Sequence, residues 1–172
     1  IDFIYNSSFK SSLLNKNDAS PIDYSNYSFH YLSKFVNICN RYFNHINSVI
    51  YSSSCALYGD NEYAKENDEI KITNLYAGLK ISSEYFLEKY LSDKNINLIF
   101  ARIFNMYGGE DDFSIISKIS KAIQNEEPLI LLNDGNNIRD FIHVDDVAKI
   151  YKIILDKNFS GKINICSGKG TK

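Results

Sequence analysis

Residues 46–54 read Ile-Asn-Ser-Val-Ile-Tyr-Ser-Ser-Ser, with an apolar centre at 49–51 and polar residues on both sides. A second run, Asn-Leu-Ile-Phe-Ala-Arg-Ile-Phe at 97–104, is nearly continuous in apolar character. Short runs of this kind, rich in β-branched and aromatic residues, are typical of buried strands. Strands that are apolar throughout belong to parallel sheets covered by helices on both faces.

Helical patterns alternate with these strands. The two longest helices are predicted at about 24–43 and 74–92, where apolar residues recur at helical spacing. The remaining predicted elements are strands at 1–5 and 162–166 and helices at 115–123 and 144–155, with a polar connection at 6–20, an apolar tetrad at 129–132 and a turn at 133–136. This alternation predicts an α/β fold, a doubly wound parallel sheet of the Rossmann-like kind.

The composition narrows the class of protein. The chain has 172 residues, 44% of them hydrophobic and 14% aromatic, which indicates one folded domain and excludes a disordered chain. The net charge of −2 excludes the basic surface of a general nucleic-acid binder, and no apolar run is long enough to predict a membrane span. Three scattered cysteines indicate neither a disulfide framework nor a zinc site and favour the reducing cytoplasm.

Tyr76 and Lys80 form a YxxxK pair near the start of a predicted helix. Because the two residues are four apart, they lie on one helix face, one turn from each other. A tyrosine has a pKa of ~10 and is a poor base at neutral pH, but a neighbouring ammonium favours the phenolate. The pair therefore predicts a tyrosine that moves protons, although YxxxK also arises by chance in a chain with 13 tyrosines.

Three consecutive serines, Ser52, Ser53 and Ser54, end the strand that precedes this helix. Ligands of doubly wound sheets bind at the carboxyl ends of the strands, so the serines are predicted to lie in the ligand crevice. Ordinary turn chemistry is the alternative explanation for serines at a strand end.

The serine cluster, the YxxxK pair and the order of the strands together resemble the extended short-chain dehydrogenase/reductases. The resemblance is to the NAD-dependent nucleotide-sugar epimerase/dehydratase group, with UDP-glucose 4-epimerases as the most similar members. The matching blocks follow the family order at residues 49–54, 58–59, 76–80, 101–108, 134–135, 139–147 and 163–168.

The resemblance implies three catalytic residues. Tyr76 would exchange the proton of the sugar hydroxyl while hydride passes to or from NAD. Lys80 would bind the nicotinamide ribose and lower the pKa of Tyr76. Ser54 would hydrogen-bond the reacting sugar oxygen.

Further residues are implied to bind the cofactor and the substrate. Ser52, Ser53 and Phe104 would join Tyr76 and Lys80 in binding NAD, whereas Asn105 would lie near the sugar diphosphate.

Arg139 would hold the diphosphate, a task that suits its forked donors. A structural ion pair between Arg139 and Asp140 is the alternative. The implied partner is a nucleotide-diphosphate sugar, used in carbohydrate biosynthesis, and the intact parent protein is expected to be a homodimer.

The family opens with a strand, a GxxGxxG turn and a helix, whereas the first glycine of this chain is Gly59. We therefore expect residues 1–172 to be a partial NAD(P)-binding Rossmann domain that lacks the N-terminal βαβ units and most of the C-terminal substrate lobe. The substrate-binding region would begin at about 106–143. Such a piece is expected to bind NAD weakly, to be inactive alone and to leave one sheet edge open for self-association.

The residues after Ser54 separate the reactions of the group. Dehydratases need an Asp-Glu acid/base pair where this chain has Cys55 and Ala56. The 3,5-epimerases use a cysteine two residues before the tyrosine at position 58, where Ala56 stands and Cys55 is one position off. The favoured reading is a 4-epimerase acting by transient oxidation at C4. The alternatives are a nucleotide-sugar 4-dehydrogenase/reductase and a truncated non-catalytic homologue.

Overall fold

The structure is a computed structural model, and it describes residues 1–6, 20–129 and 132–172. The strands are β1 (Asp2–Tyr5), β2 (Ser48–Ser54), β3 (Asn97–Ile103), β4 (Asn105–Tyr107), β5 (Arg139–His143), β6 (Gly161–Ile165) and β7 (Gly170–Thr171). The helices are α1 (Pro21–Tyr42), α2 (Leu75–Leu91), α3 (Ile115–Asn125) and α4 (Val144–Asp156), with short 3₁₀ turns at Phe43–His45, Cys55–Tyr58 and Leu132–Gly135.

The main sheet has four parallel strands in the order β1-β2-β3-β6. The two apolar runs of the sequence, β2 and β3, occupy its centre, which confirms the predicted parallel sheet. Within the described ranges β1 pairs with β2 alone, so its other side is a sheet edge. Self-association through that edge stays a prediction.

Helices cover both faces of this sheet. On one face α1 and α2 bury a cluster that includes Leu32, Tyr51 and Leu87. On the other face α4 packs against Ile50 and Ile99. Tyr51 and Ile50 point to opposite faces because successive strand residues alternate, and the doubly wound class is thereby confirmed.

A second, smaller sheet joins β4, β5 and β7, and the sequence did not predict it. Asn105 of β4 pairs with Phe141 of β5 in parallel, and Arg139 of β5 pairs with Thr171 of β7 in the antiparallel sense. The segments 105–107 and 139–143 mix polar with apolar residues and 170–171 has only two residues, so none of them shows a clear strand pattern in the sequence. This sheet places Asn105 and Arg139 next to the end of β3.

Most predicted boundaries lie within a few residues of the observed ones. Helix α1 begins earlier than expected because Ser20 caps it, its Oγ accepting the N–H of Ile22 at 3.2 Å, and Pro21 occupies the first helical position. The polar connection at 6–20 and the tetrad at 129–132 lie largely or partly outside the described residues. None of the helices described here combines the length and the apolar character that crossing a bilayer requires.

Candidate active site

A cavity of about 690 Å³ opens at the carboxyl ends of β2 and β3. This cavity is lined by all the residues predicted from the sequence to act in catalysis, cofactor binding or substrate binding: Ser52, Ser53, Ser54, Tyr76, Lys80, Phe104, Asn105 and Arg139. Its volume lies in the range of small-molecule sites. The structure therefore brings the whole predicted set together, while the role of each residue remains a prediction.

The cavity also has lining residues that sequence reasoning did not select. They are Asn6, Cys55, Ala56, Ile103, Met106, Phe113, Ser114, Ile115 and Phe141. Several follow or end a strand of the two sheets, so their position in the topology was the available signal. The apolar members form a wall suited to the flat faces of a sugar or a base.

Tyr76 and Lys80 are placed by the start of α2. The Oδ1 of Asn74 accepts the N–H of Ala77 at 2.9 Å, so Asn74 is the N-cap. Tyr76 then lies in the first turn and Lys80 one turn later, both facing the cavity. The spacing of four residues therefore places Tyr76 and Lys80 on one face of α2, as predicted.

Lys80 is buried, with 6% of its surface exposed. Its Nζ donates to the carbonyl oxygen of Ser52 at 2.7 Å and lies 5.1 Å from the ring centroid of Tyr51. Burial lowers the pKa of Lys80 to about 8, and the charge of Glu84 opposes that change. Most Lys80 side chains are still ammonium groups at neutral pH.

The electrostatics of Tyr76 differ from the sequence expectation. Burial raises the pKa of Tyr76, and a hydrogen bond with Ser54 lowers it only in part. The Lys80 Nζ lies 5.6 Å from the Tyr76 ring centroid and is directed to the Ser52 carbonyl. Desolvation is therefore the largest effect on the Tyr76 pKa in this arrangement, and the lowering by Lys80 stays a prediction.

The three serines have different partners. The Ser52 hydroxyl hydrogen-bonds Tyr151 of α4 at 2.9 Å, and the Ser53 hydroxyl donates to Glu84 of α2. Ser54 is the serine whose hydroxyl interacts with Tyr76. Both hydroxyl oxygens keep acceptor capacity, and the cofactor contacts of Ser52 and Ser53 stay predictions.

Asp140 does not form the ion pair with Arg139 that the sequence left open. Its carboxylate accepts the backbone N–H of Ser167 at 2.8 Å and that of Lys169 at 3.0 Å. Arg139 donates to the carbonyl of its neighbour Ile138 at 2.9 Å and lines the cavity. The Arg139 guanidinium thus keeps donors for an anionic ligand.

Asn105 is oriented by the same short sheet. Its Nδ2 donates to the backbone carbonyl of Asp140 at 2.9 Å. Asn105 also lines the cavity, and its place beside a sugar diphosphate stays a prediction.

The parallel sheet, the helices on both faces and the Tyr-Lys-Ser cluster at its carboxyl edge define the NAD-dependent short-chain dehydrogenase/reductase type of protein. The chain belongs to the NAD dependent epimerase/dehydratase family, whose model matches residues 1–166.

Individual relatives agree with this family. The chain is 34% identical over 130 residues to Protein CapI of Staphylococcus aureus, and the matched region covers 72% of this chain and 38% of that protein. It is 34% identical over 135 residues to a putative UDP-glucose 4-epimerase of Methanocaldococcus jannaschii, covering 73% and 43%. A UDP-N-acetylglucosamine 4-epimerase from Methanobrevibacter ruminantium M1, solved with UDP-N-acetylmuramic acid, superposes with a TM-score of 0.87 at 28% identity, covering 99% of this chain and 56% of that one. The chain thus spans about half, or less, of the length of these proteins.

NAD is the cofactor of the family, and the residues present fit its nicotinamide end. The Lys80 ammonium has three N–H donors, one of which donates to the Ser52 carbonyl, so two are left for ribose hydroxyl groups. Phe104 supplies an aromatic wall in the same cavity.

Proposed function

We propose that the protein is a nucleotide-sugar 4-epimerase of the UDP-glucose/UDP-galactose type that acts by transient oxidation at C4. The observation that carries this proposal is the convergence of Ser54, Tyr76 and Lys80 on one cavity. The similarity to 4-epimerases that act on UDP-sugars supports the choice of reaction.

Tyr76 and Ser54 have the main chemical roles in this proposal. Their hydroxyl groups bind the sugar 4-hydroxyl, and Tyr76 takes its proton and later returns it. Bound NAD supplies the hydride acceptor for C4 and, when oxidised, a positively charged ring. Because burial raises the pKa of Tyr76, its phenol is protonated in the resting site. Proton acceptance therefore depends on positive charge nearby, and Lys80 is this chain's contribution to that charge.

Arg139 and Asn105 bind the other end of the substrate. The guanidinium of Arg139 is free of Asp140 and can take a diphosphate in a forked geometry. Asn105 adds a fixed amide next to it. These contacts select a nucleotide-diphosphate sugar over a free sugar.

The thiol of Cys55 is the reason that the proposal favours epimerisation over dehydration. Burial raises the pKa of its thiol to about 11, so it remains protonated and apolar in character at neutral pH. It stands where a dehydratase needs a carboxyl group that exchanges protons. The remaining alternatives are a single-step 4-dehydrogenase/reductase and a non-catalytic homologue.

The test is to incubate the full-length gene product with NAD and, separately, UDP-glucose, UDP-galactose and UDP-N-acetylglucosamine. An epimerase interconverts the 4-epimers, which NMR detects, and the absorbance of NADH does not increase. A dehydrogenase accumulates NADH with one equivalent of ketone. A protein that neither converts these sugars nor binds NAD would contradict both enzymatic readings. A homodimer and a cytoplasmic location are part of the proposal, tested by light scattering and by fractionation.

A further inference from the structure

Glu84 is a buried carboxylate that none of the roles above uses. It lies on α2 one turn after Lys80, and 2% of its surface is exposed. Arg102 of β3, itself 1% exposed, holds it with two bonds: Nη2 to Oε2 at 2.8 Å and Nε to Oε1 at 3.1 Å. This bidentate geometry holds the carboxylate in one orientation.

The pair belongs to a larger polar network. The Nη1 of Arg102 donates to the Tyr58 hydroxyl at 3.0 Å and to the Glu66 carbonyl at 3.1 Å. Tyr58 in turn donates to Asn164 of β6 at 2.7 Å. Among the described residues, every buried side-chain nitrogen and oxygen atom has a partner. Full satisfaction makes the network rigid, so Glu84 is well suited to hold other groups in place.

Glu84 is connected to the active site at two points. Its Oε1 accepts the hydroxyl of Ser53, the residue between Ser52 and Ser54. Lys80, on the preceding turn, donates to the carbonyl of Ser52. Two successive turns of α2 are therefore tied to two successive residues of β2, next to the serine that contacts Tyr76.

Glu84 is also the carboxylate whose charge acts on Lys80. A small pocket beside Lys80 is lined by hydroxyl-bearing side chains from β1, α1, β2 and α2: Tyr5, Tyr24, Ser28, Tyr51, Tyr76 and Ser83. The large cavity that Lys80 also lines contributes the thiol of Cys55 and the guanidinium of Arg139. Burial raises the pKa of the four phenols, so they carry no negative charge at neutral pH. Arg102, the nearest counter-charge of Glu84, lies on the neighbouring strand β3 and is bound to the carboxylate itself.

We propose that Glu84 is a positioning residue, which fixes the end of β2 through Ser53 and places a buried negative charge one helical turn from the Lys80 ammonium. The inference rests on the proposed function, in which that ammonium binds the ribose of NAD and favours the Tyr76 phenolate. Arg102 serves by holding the Glu84 carboxylate in place.

The sign of the effect follows from the charges. A negative group near Lys80 stabilises its protonated form, so removing that group lowers the Lys80 pKa below its value of about 8. Glu84→Gln removes the charge and keeps the shape. Glu88→Gln is the matched control, because Glu88 lies one turn further on the same helix and is exposed.

The experiment is an NMR titration of the chain labelled with ¹³C at the lysine Cε atoms. Lys80 is assigned by the signal missing in Lys80→Met. We expect Glu84→Gln to lower the Lys80 pKa by roughly one, a tenfold change in the acid dissociation constant, and Glu88→Gln to leave it unchanged. An unchanged Lys80 pKa in folded Glu84→Gln would overturn the proposal.

A second variant covers the case in which Glu84→Gln does not fold, because it leaves Arg102 buried without a counter-charge. Glu84→Gln/Arg102→Met removes both charges, and the Lys80 pKa is still expected to fall, although by less than in the single variant, since Glu84 is the charge that acts on Lys80 and lies one turn away on the same helix. If the pKa stays at the wild-type value in the folded double variant, the proposal is wrong.

The titration needs neither substrate nor cofactor, so it is independent of the proposed reaction. In an active protein, Glu84→Gln should also move the alkaline limb of the kcat/KM profile to lower pH. A merely structural role would reduce activity at every pH without that shift, which would overturn the positioning role. A lowered Lys80 pKa in a protein without epimerase activity would refute the proposed function and leave the charge effect of Glu84 standing.

Discussion

The Nζ of Lys80 donates to the backbone carbonyl of Ser52 at 2.7 Å, and this bond joins the helix of the YxxxK pair to the strand of the serine cluster. Two motifs that are 24 residues apart at Ser52 and Tyr76 thereby meet at one edge of the sheet. The relation explains why Lys80 is buried although it carries a charge. Holding this lysine out of water costs stability.

That cost gives a pH-dependent prediction for Lys80→Met. The Lys80 pKa is about 8 in the folded chain against 10.5 ordinarily, so between these values the unfolded chain binds more protons than the folded one. The wild-type free energy of unfolding therefore gains about 1.4 kcal/mol per pH unit from this group as the pH rises through that window. Lys80→Met lacks this gain. Urea unfolding of both chains from pH 7 to 10 should show their stability difference changing in favour of wild type; a constant difference would mean that Lys80 is not desolvated.

Arg139 gives a prediction about the diphosphate. Arg139→Lys keeps the charge but removes the forked donors, so we expect the affinity for UDP to fall by about tenfold, or ~1.4 kcal/mol. The matched control is Arg41→Lys on the exposed face of α1, which should bind UDP as wild type does. Calorimetry with UDP measures both. Equal affinities for the Arg139 variant and wild type would show that another group holds the phosphates.

Gly108 gives a prediction about the small sheet that places Asn105 and Arg139. Gly108 has a φ of +103°, and a Cβ there would overlap the imidazole of His143. Gly161 has a similar φ of +112° but nothing within 4 Å of an added Cβ. Gly108→Ala should therefore cost about 1–3 kcal/mol more than Gly161→Ala, the part due to overpacking. Denaturant midpoints of the two variants give the comparison, and equal losses would place the strain in the backbone alone.

Much of the fold could be predicted from the sequence, since the strongest patterns belong to the longest elements. The apolar runs at β2 and β3 and the helical periodicity of α1 and α2 required no tertiary information. Strands β4, β5 and β7 were not predicted, because their short sequences mix polar and apolar residues and they form a sheet only by pairing with one another.

Some residues of the candidate site could likewise be predicted from the sequence, and others could not. Tyr76, Lys80 and Ser54 could be found because spacing along one helix and position at one strand end decide their meeting. The Glu84–Arg102 pair could not, since its members lie on different elements of the chain. The available signal was Arg102 itself, a charge inside an apolar strand, which requires a buried partner.

The proposed reaction depends on Tyr76 moving the proton of the sugar 4-hydroxyl. Its most direct test compares Tyr76→Phe with Tyr85→Phe, a control on the same helix whose side chain is 68% exposed. The assay is the interconversion of UDP-sugar 4-epimers by the full-length gene product with NAD, alongside calorimetric binding of the same UDP-sugar. We expect Tyr76→Phe to lose about 10²–10⁴ in turnover while largely keeping its affinity for the sugar nucleotide, and Tyr85→Phe to be unaffected. Undiminished turnover by Tyr76→Phe would contradict the proposed role of Tyr76.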